Sequence, residues 1–312
     1  MTNKRLYCIS IGRIVPNFSK QFFFGVNSGG KSVKRILIVG KNSYIGLSLK
    51  HYLKDKVNDY YLEELDTFGF DSASHNFKGF DTVVCVTGIA HIKETKANAQ
   101  LYYSVNRDLC VQIAKKCKLE GVGHFVFLSS MSVYGKDCGI ITPNTKPVPK
   151  NNYGKSKLQA EELLTSLCDK NFKITIIRPP MVYGKNCKGN FQTVIKLVDK
   201  LPIFPKVNNM RSMIHIDNLC NFIKICIDES KEGIFCPQNE EYVNTSTMAG
   251  IIATKKTKKL LLSRILGLAV VIMRPFSSLL KKAFGNLIYK DMETDDFSYC
   301  IIDQITSFNS SV

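Results

Sequence analysis

Between residues 33 and 178 short apolar runs alternate with longer amphipathic ones, and that rhythm leaves few folds open. Strands are expected over 35–39, 60–65, 82–86, 124–129 and 173–178, with helices over 44–54, 99–119 and 153–170. Strands this short and this continuously apolar suit an α/β fold: a doubly wound parallel sheet with helices on both faces. Beyond Pro179 the rhythm loosens. A helix over 191–200 precedes a proline-rich loop, Leu201-Pro-Ile-Phe-Pro205, and a smaller mixed region follows. The expected division is an extension over 1–32, disordered or a misassigned start, then a sheet domain over 33–180. A smaller domain over 181–312 sends some segments back to the core.

Two phosphate-binding patterns overlap ahead of the first helix. Gly25-Val-Asn-Ser-Gly-Gly30-Lys31-Ser32 matches a P-loop letter for letter, but Val33-Lys-Arg-Ile-Leu-Ile-Val39 follows it. A P-loop needs a helix there, because the helix N-terminus supplies the amides that hold phosphate; a strand cannot. The second pattern, Gly40-Lys-Asn-Ser43-Tyr44-Ile45-Gly46, has the right setting between a strand and a helix. Gly40 permits the tight turn and Gly46 a close helix-to-sheet approach. Ser43 stands where a third glycine is usual, and its hydroxyl is able to bond a phosphate oxygen. A plain strand-turn-helix would read the same way, so the downstream residues carry the weight.

Tyr153-Gly-Lys-Ser-Lys157 places a phenol and an ammonium four residues apart, on one helix face. A cation beside a phenol favours its ionised form and makes it a usable base near neutrality. The bland reading is a solvated helix face. Phe127-Leu-Ser-Ser130-Met-Ser-Val-Tyr-Gly135 ends a strand with hydroxyls, and the C-terminal strand ends are where an open α/β sheet binds ligands. Ser130 is therefore placed to share a substrate oxygen with Tyr153.

With these residues in hand, the chain resembles the extended short-chain dehydrogenase/reductases, in particular the nucleotide-sugar epimerase/dehydratase group typified by UDP-glucose 4-epimerase. The resemblance spans about 34–289 and rests on an ordered series. It runs from the Gly40–Gly46 turn through Val86-Thr-Gly-Ile-Ala90, Val105-Asn106, Ser129-Ser130 and Tyr153…Lys157. Ile177-Arg-Pro-Pro-Met-Val-Tyr-Gly184 and Arg211-Ser-Met-Ile-His-Ile-Asp217 complete it. The chain is also similar to a bacterial subgroup tied to capsule and O-antigen clusters.

The resemblance implies a Rossmann-type NAD-binding domain over 33–180 and a mainly substrate-binding one over 181–312. It makes Tyr153 the catalytic base, Lys157 its partner and Ser130 the hydroxyl on the reacting oxygen. Gly40, Ser43, Tyr44, Ile45, Gly46, Thr87, Gly88 and Asn106 would line or support the dinucleotide, with Tyr153 and Lys157 beside it. Arg211 would clamp the diphosphate of a sugar nucleotide and Asn190 would meet the nucleotide. The bland readings are a helix cap for Asn106, a surface cation for Arg211 and a structural His215.

The implied activity is NAD-dependent 4-epimerisation of a UDP-hexose or UDP-N-acetylhexosamine, for surface polysaccharide, by a homodimer. A 4-ketoreductase of a UDP- or dTDP-4-keto-6-deoxy sugar needs the same Ser, Tyr and Lys, and a dinucleotide-sensing regulator is a third reading. The resemblance argues against dehydration: Met131 and Ser132 stand where the dehydratases carry Asp and Glu, and neither protonates a leaving group. Asp66, with Glu64 and Asp71 as competitors, is the acid expected on the adenosine ribose. An acid there repels a 2′-phosphate and favours NAD, while Lys41 leans toward NADP.

Composition bounds the partners. The chain carries 43 Lys+Arg against 26 Asp+Glu, a formal charge of +17, without a nucleic-acid module. The cations are dispersed except for Lys255-Lys-Thr-Lys-Lys259, which lies beside an apolar run over 265–273. That run is about half the length of a spanning helix, so weak attraction to a membrane surface is the reading it permits. Eleven cysteines without CxxC spacing suit small buried side chains in a reducing cytoplasm, and five histidines offer no metal spacing.

Overall fold

The computed structural model describes residues 33–56, 58–70, 75–90, 92 and 94–312. The extension and the P-loop pattern over 25–32 lie outside the described residues, as does Asp71.

A six-stranded parallel sheet forms the core. Its strands are β1 (Lys34–Val39), β2 (Tyr60–Leu65), β3 (Thr82–Cys85), β4 (His124–Leu128), β6 (Lys173–Ile177) and β10 (Gly233–Phe235). Three shorter parallel pairs use β5 (Gly139–Ile141) with β12 (Leu287–Tyr289), β7 (Met181–Tyr183) with β9 (Met213–His215), and β8 (Ile203–Pro205) with β11 (Leu261–Ser263). The order across the main sheet is β10-β6-β4-β3-β1-β2. The chain leaves β1 toward one edge, returns and builds β3 on the other side, so a crevice opens at the C-terminal ends of β1 and β3.

Side chains alternate across the strands and explain the two covered faces. Ile36 and Ile38 of β1 join Val84, Val126 and Leu128 under helices α1 (Tyr44–Leu53) and α6 (Ile216–Glu229). Leu37 and Val39 point the other way, with Val83, Phe125 and Phe127, under α3 (Cys110–Leu119) and α4 (Asn152–Thr165). A third core joins Tyr183 and Phe204 to Phe191 of α5 (Asn190–Lys200) and Met248 of α7 (Thr245–Lys255).

Three expectations need correction. The 99–119 helix is not uniform: α2 (Ala99–Tyr103) runs into a π-helical turn, Ser104–Leu109, before α3. Such turns are frequent at functional sites, and Asn106 sits fully buried inside this one. Helix α4 stops at Thr165, not 170, because the Asp169 carboxylate accepts from the amides of Asn171 and Phe172 and folds the chain locally. The proline-rich loop contains a strand. Pro202 offers its carbonyl to Leu261, and Pro205, which has no N–H to lose, ends β8.

Candidate active site

Gly40 turns the chain at φ +114°, and a Cβ there would lie 2.9 Å from the Thr87 amide nitrogen. No side chain fits that approach between the ends of β1 and β3. The amides of Gly40 and Lys41 both donate to the Leu65 carbonyl, at 3.0 and 3.1 Å. Ser43 caps α1, its Oγ accepting from the Gly46 amide at 3.0 Å, and this is why serine serves where glycine was expected. A Cβ on Gly46 would crowd that same oxygen at 2.8 Å. Ile45 and Tyr44 follow in the first turn of α1, half-buried. The Tyr44 hydroxyl is buried with no partner among the described residues, and burial pushes its pKa up. It stands 2.6 Å from where a Cβ on Gly184 would be, so Gly184 makes room for it.

Asp66 lies just past β2, exposed beside this loop, its carboxylate accepting from the Phe68 amide at 3.0 Å. Glu64 is instead engaged by Lys50. A glycine cradle between β1 and β3, an exposed acid at the end of β2 and an orphaned hydroxyl in the α1 turn together fit a dinucleotide.

Thr87 and Gly88 form the opposite wall. The Thr87 hydroxyl lies 3.1 Å from that of Thr67. A Cβ on Gly88 would meet Lys157 Nζ at 3.1 Å and Asn106 Oδ1 at 3.2 Å. Asn106 is no helix cap. Its Oδ1 accepts from the Ile89 amide at 2.7 Å, and its Nδ2 donates to the Ile89 carbonyl and to Ser156 Oγ on α4. One buried side chain thus fixes the loop after β3 to the helix that carries Tyr153.

Asn151 caps α4 through its bond to the Gly154 amide, which puts Tyr153 in the first turn. That turn rests against Ser130-Met-Ser-Val-Tyr134: a Cβ on Gly154 would lie 2.6 Å from the Ser132 carbonyl oxygen. Ser130 Oγ accepts from the Ser132 amide at 3.1 Å and donates to Ser132 Oγ at 3.0 Å. Tyr153 is half-buried, and its hydroxyl has no hydrogen-bond partner among the described residues. Lys157 is 3% exposed and donates to the carbonyls of Leu128, at 2.8 Å, and Thr87, at 3.4 Å. Its Nζ lies 4.6 Å from the centre of the Phe127 ring. No hydrogen bond joins it to Tyr153 among the described residues; its ammonium is held at the ends of β3 and β4.

The sequence reading missed the support beneath this group. Glu161, one helical turn beyond Lys157, accepts from Ser129 Oγ and from the Arg178 guanidinium, and Arg178 also donates to the Tyr134 hydroxyl at 2.8 Å. The i+4 spacing from Lys157 was a visible signal; the partner at the end of β6 was not.

Arg211 is not a surface cation. Its Nη1 donates to the Gly285 carbonyl at 3.0 Å, and its Nε is buried without a partner among the described residues. Burial pushes its pKa down, partly offset by Asp137 and Cys138. A half-buried guanidinium with an unused, buried donor suits an anion. Asn190 opens α5, exposed, beside a cavity of about 460 Å³ lined by Asn186, Lys188, Gly189 and Gln192. Neither residue shares a hydrogen bond with Tyr153, Lys157 or Ser130 among the described residues. His215 is structural: buried, it caps α6 by accepting from the Asp217 amide at 3.3 Å. No group of potential metal ligands occurs among the described residues.

Residues 36–236 match the NAD dependent epimerase/dehydratase family. UDP-glucose 4-epimerase of Vibrio cholerae is 32% identical over 250 residues, covering 72% of this chain and 76% of that enzyme. N-acetyl-alpha-D-glucosaminyl-diphospho-ditrans,octacis-undecaprenol 4-epimerase of Escherichia coli O157:H7 is 29% identical over 206 residues, 61% of this chain and 62% of that enzyme. The solved UDP-glucuronic acid 4-epimerase from Bacillus cereus, in complex with NAD, superposes with a TM-score of 0.69. It covers 89% of this chain and 97% of its own at 17% identity, a likeness of fold.

Proposed function

The chain belongs to the NAD-dependent epimerase/dehydratase family, and from that premise we propose that it inverts C4 of a nucleotide sugar by transient oxidation. The observation that carries this reading is the pairing of Tyr153, Ser130 and buried Lys157 with a Met131-Ser132 step that holds no acid. The loop from Gly40 to Gly46, with Asp66, Thr87, Gly88 and Asn106, would hold NAD. Bound NAD supplies the acceptor and later the donor of the C4 hydride.

The protein supplies the rest. Tyr153 takes the C4 hydroxyl proton and returns it, while Ser130 exchanges its bond to Ser132 for one to the same oxygen. Lys157, four residues along the same helix and held by the Leu128 carbonyl, would be the cation that assists the phenol. Arg211 grips the diphosphate through its free Nε, so the keto sugar is able to turn between hydride transfers without leaving.

A UDP-hexose or UDP-N-acetylhexosamine is the proposed substrate. A sugar joined by diphosphate to a lipid offers Arg211 the same anion, and the Escherichia coli relative's name places it in the test panel. A role in surface polysaccharide synthesis, a cytoplasmic site and a homodimer belong to the same reading. For the dimer the support is Leu101 and Leu163, exposed on the packed helices α2 and α4. Among the described residues no helix is long and apolar enough to cross a membrane.

The test is incubation with UDP-glucose, UDP-N-acetylglucosamine, undecaprenyl-diphospho-N-acetylglucosamine and the C4 epimer of each, without added reductant. Interconversion supports the proposal. Consumption of NADPH only with a 4-keto sugar would identify a reductase, and NAD binding without turnover a regulator.

A further inference from the structure

Helix α8 (Arg264–Met273) turns most of its apolar side chains away from the protein. Of its residues only Gly267 is fully buried, and a Cβ there would lie 2.0 Å from the Lys206 carbonyl oxygen. The helix is therefore seated by its glycine edge against the backbone after β8, and the opposite stripe is free. Ile265, Leu268 and Ile272 recur at helical spacing, and with Met273, Phe276 and Leu279 they are 60% to 90% exposed. The patch runs on into α9 (Ser278–Phe284), which Arg274 ties back by donating to the Phe284 carbonyl at 3.1 Å.

Charge surrounds this face on one side of the ledger only. Residues 242–290 contain nine Lys and Arg and no Asp or Glu. Lys256 pairs with Asp199, and Lys282 approaches Asp137 at 3.9 Å. Lys255, Lys259 and Arg264 are exposed and form no ion pair among the described residues. An exposed apolar stripe that follows uncompensated cations closely in the chain has two obvious occupants. A second copy meeting it about a two-fold axis would bring the same cations face to face, which costs energy. A bilayer rich in anionic phospholipid satisfies both features at once. At ten residues α8 is too short to span, so it lies in the interface.

We propose that the α8–α9 face docks the protein on an anionic phospholipid membrane, with Ile265, Leu268, Ile272 and Phe276 entering the acyl boundary and Lys255, Lys259 and Arg264 meeting the headgroups. Docking does not depend on which sugar the active site takes.

The experiment is vesicle flotation of the full chain with phosphatidylcholine, with and without phosphatidylglycerol. Binding should require phosphatidylglycerol and weaken in salt. The double variant Ile272→Asp/Phe276→Asp should lower it at least about tenfold. Lys255→Glu/Lys259→Glu should weaken it by about tenfold on the anionic vesicles. Both variants alter exposed side chains and should keep the wild-type melting temperature, solution mass and turnover of soluble sugar nucleotides. Three results overturn the proposal: no binding to phosphatidylglycerol vesicles at low salt, equal binding by Ile272→Asp/Phe276→Asp, or loss of an oligomer in that variant, which would assign the face to a second copy.

Discussion

Glu161 holds the Arg178 guanidinium through both carboxylate oxygens, from Nε at 3.1 and 3.2 Å and from Nη2 at 2.5 Å, with 3% and 8% of the two side chains exposed. Removing one charge from such a pair strands the other in a low-dielectric setting. Glu161→Gln should therefore cost about 3–5 kcal/mol, read from the urea midpoint. Because Glu161 also anchors Ser129, next to Ser130, turnover should fall beyond what the remaining folded fraction explains. Glu161→Leu with Arg178→Met should recover part of the stability, since no lone charge is left. A midpoint unmoved by Glu161→Gln would refute this account.

Tyr153→Phe removes one hydroxyl that forms no hydrogen bond within the described residues. Stability and NAD binding should be unchanged, while kcat falls by about 10²–10⁴ if the phenol is the acid-base group. Ser130 differs. Its hydroxyl caps the Met131–Tyr134 turn, so Ser130→Ala should lower kcat and also cost about 1 kcal/mol in the urea midpoint. Parallel kinetics and denaturation separate the two roles.

How far the sequence could be read follows from how far apart the interacting residues lie. Five of the six sheet strands were legible from their own apolar runs, as Ile36 and Ile38 against Leu37 and Val39 fill two faces with no outside information; β10, with Gly233 and Ile234 exposed, was not. The Gly40 turn and the Tyr153–Lys157 pair are equally local. By contrast, β8 becomes a strand only because Leu261 pairs with Ile203, and nothing within Pro-Ile-Phe-Pro205 states that. Arg178 resembles any polar residue at a strand end until α4 brings Glu161 to it. Arg211 stood out among 43 cations only through the family resemblance, and its contact with the Gly285 carbonyl, 74 residues away, is not written in its own neighbourhood.

Gly40→Ala tests the cofactor loop. The new methyl would meet the Thr87 backbone in a region of φ that L-residues avoid, so the loop must move. We expect a loss of about 1–3 kcal/mol and weaker NAD binding by titration. Gly250→Ala, inside α7 with nothing within 4 Å of the added carbon, is the control. It should gain up to about 1 kcal/mol and leave NAD binding alone.

Arg211→Lys keeps a cation but discards the fork and the buried Nε. If that nitrogen waits for a diphosphate, KM for the sugar nucleotide should rise by about 10–100-fold with kcat nearly unchanged. A reduced kcat at constant KM would move Arg211 from substrate anchoring to the chemical step.

His124 is 2% exposed between Thr82 and Thr175, with Nε2 2.7 Å from the Thr175 hydroxyl and Nδ1 3.4 Å from that of Thr82. The Thr175 hydroxyl in turn donates to the Lys231 carbonyl. A neutral ring carrying its proton on Nε2 satisfies this chain, and burial, with Lys34 and Lys173 adding to it, lowers the pKa from 6.5 to about 4. The folded state therefore binds fewer protons than the unfolded one across that interval. Its stabilising contribution is complete above pH 6.5 and drains away as the pH falls toward 4, by about 2 kcal/mol at pH 5. Half-buried His75 and buried His215 shift in the same direction, so the wild-type slope includes them and only a difference isolates His124. His124→Gln should flatten the dependence of the urea midpoint between pH 5 and 7 by about 2 kcal/mol, with a lower plateau at neutral pH. Parallel pH profiles for the two proteins would show that His124 is already solvated or charged in the native state.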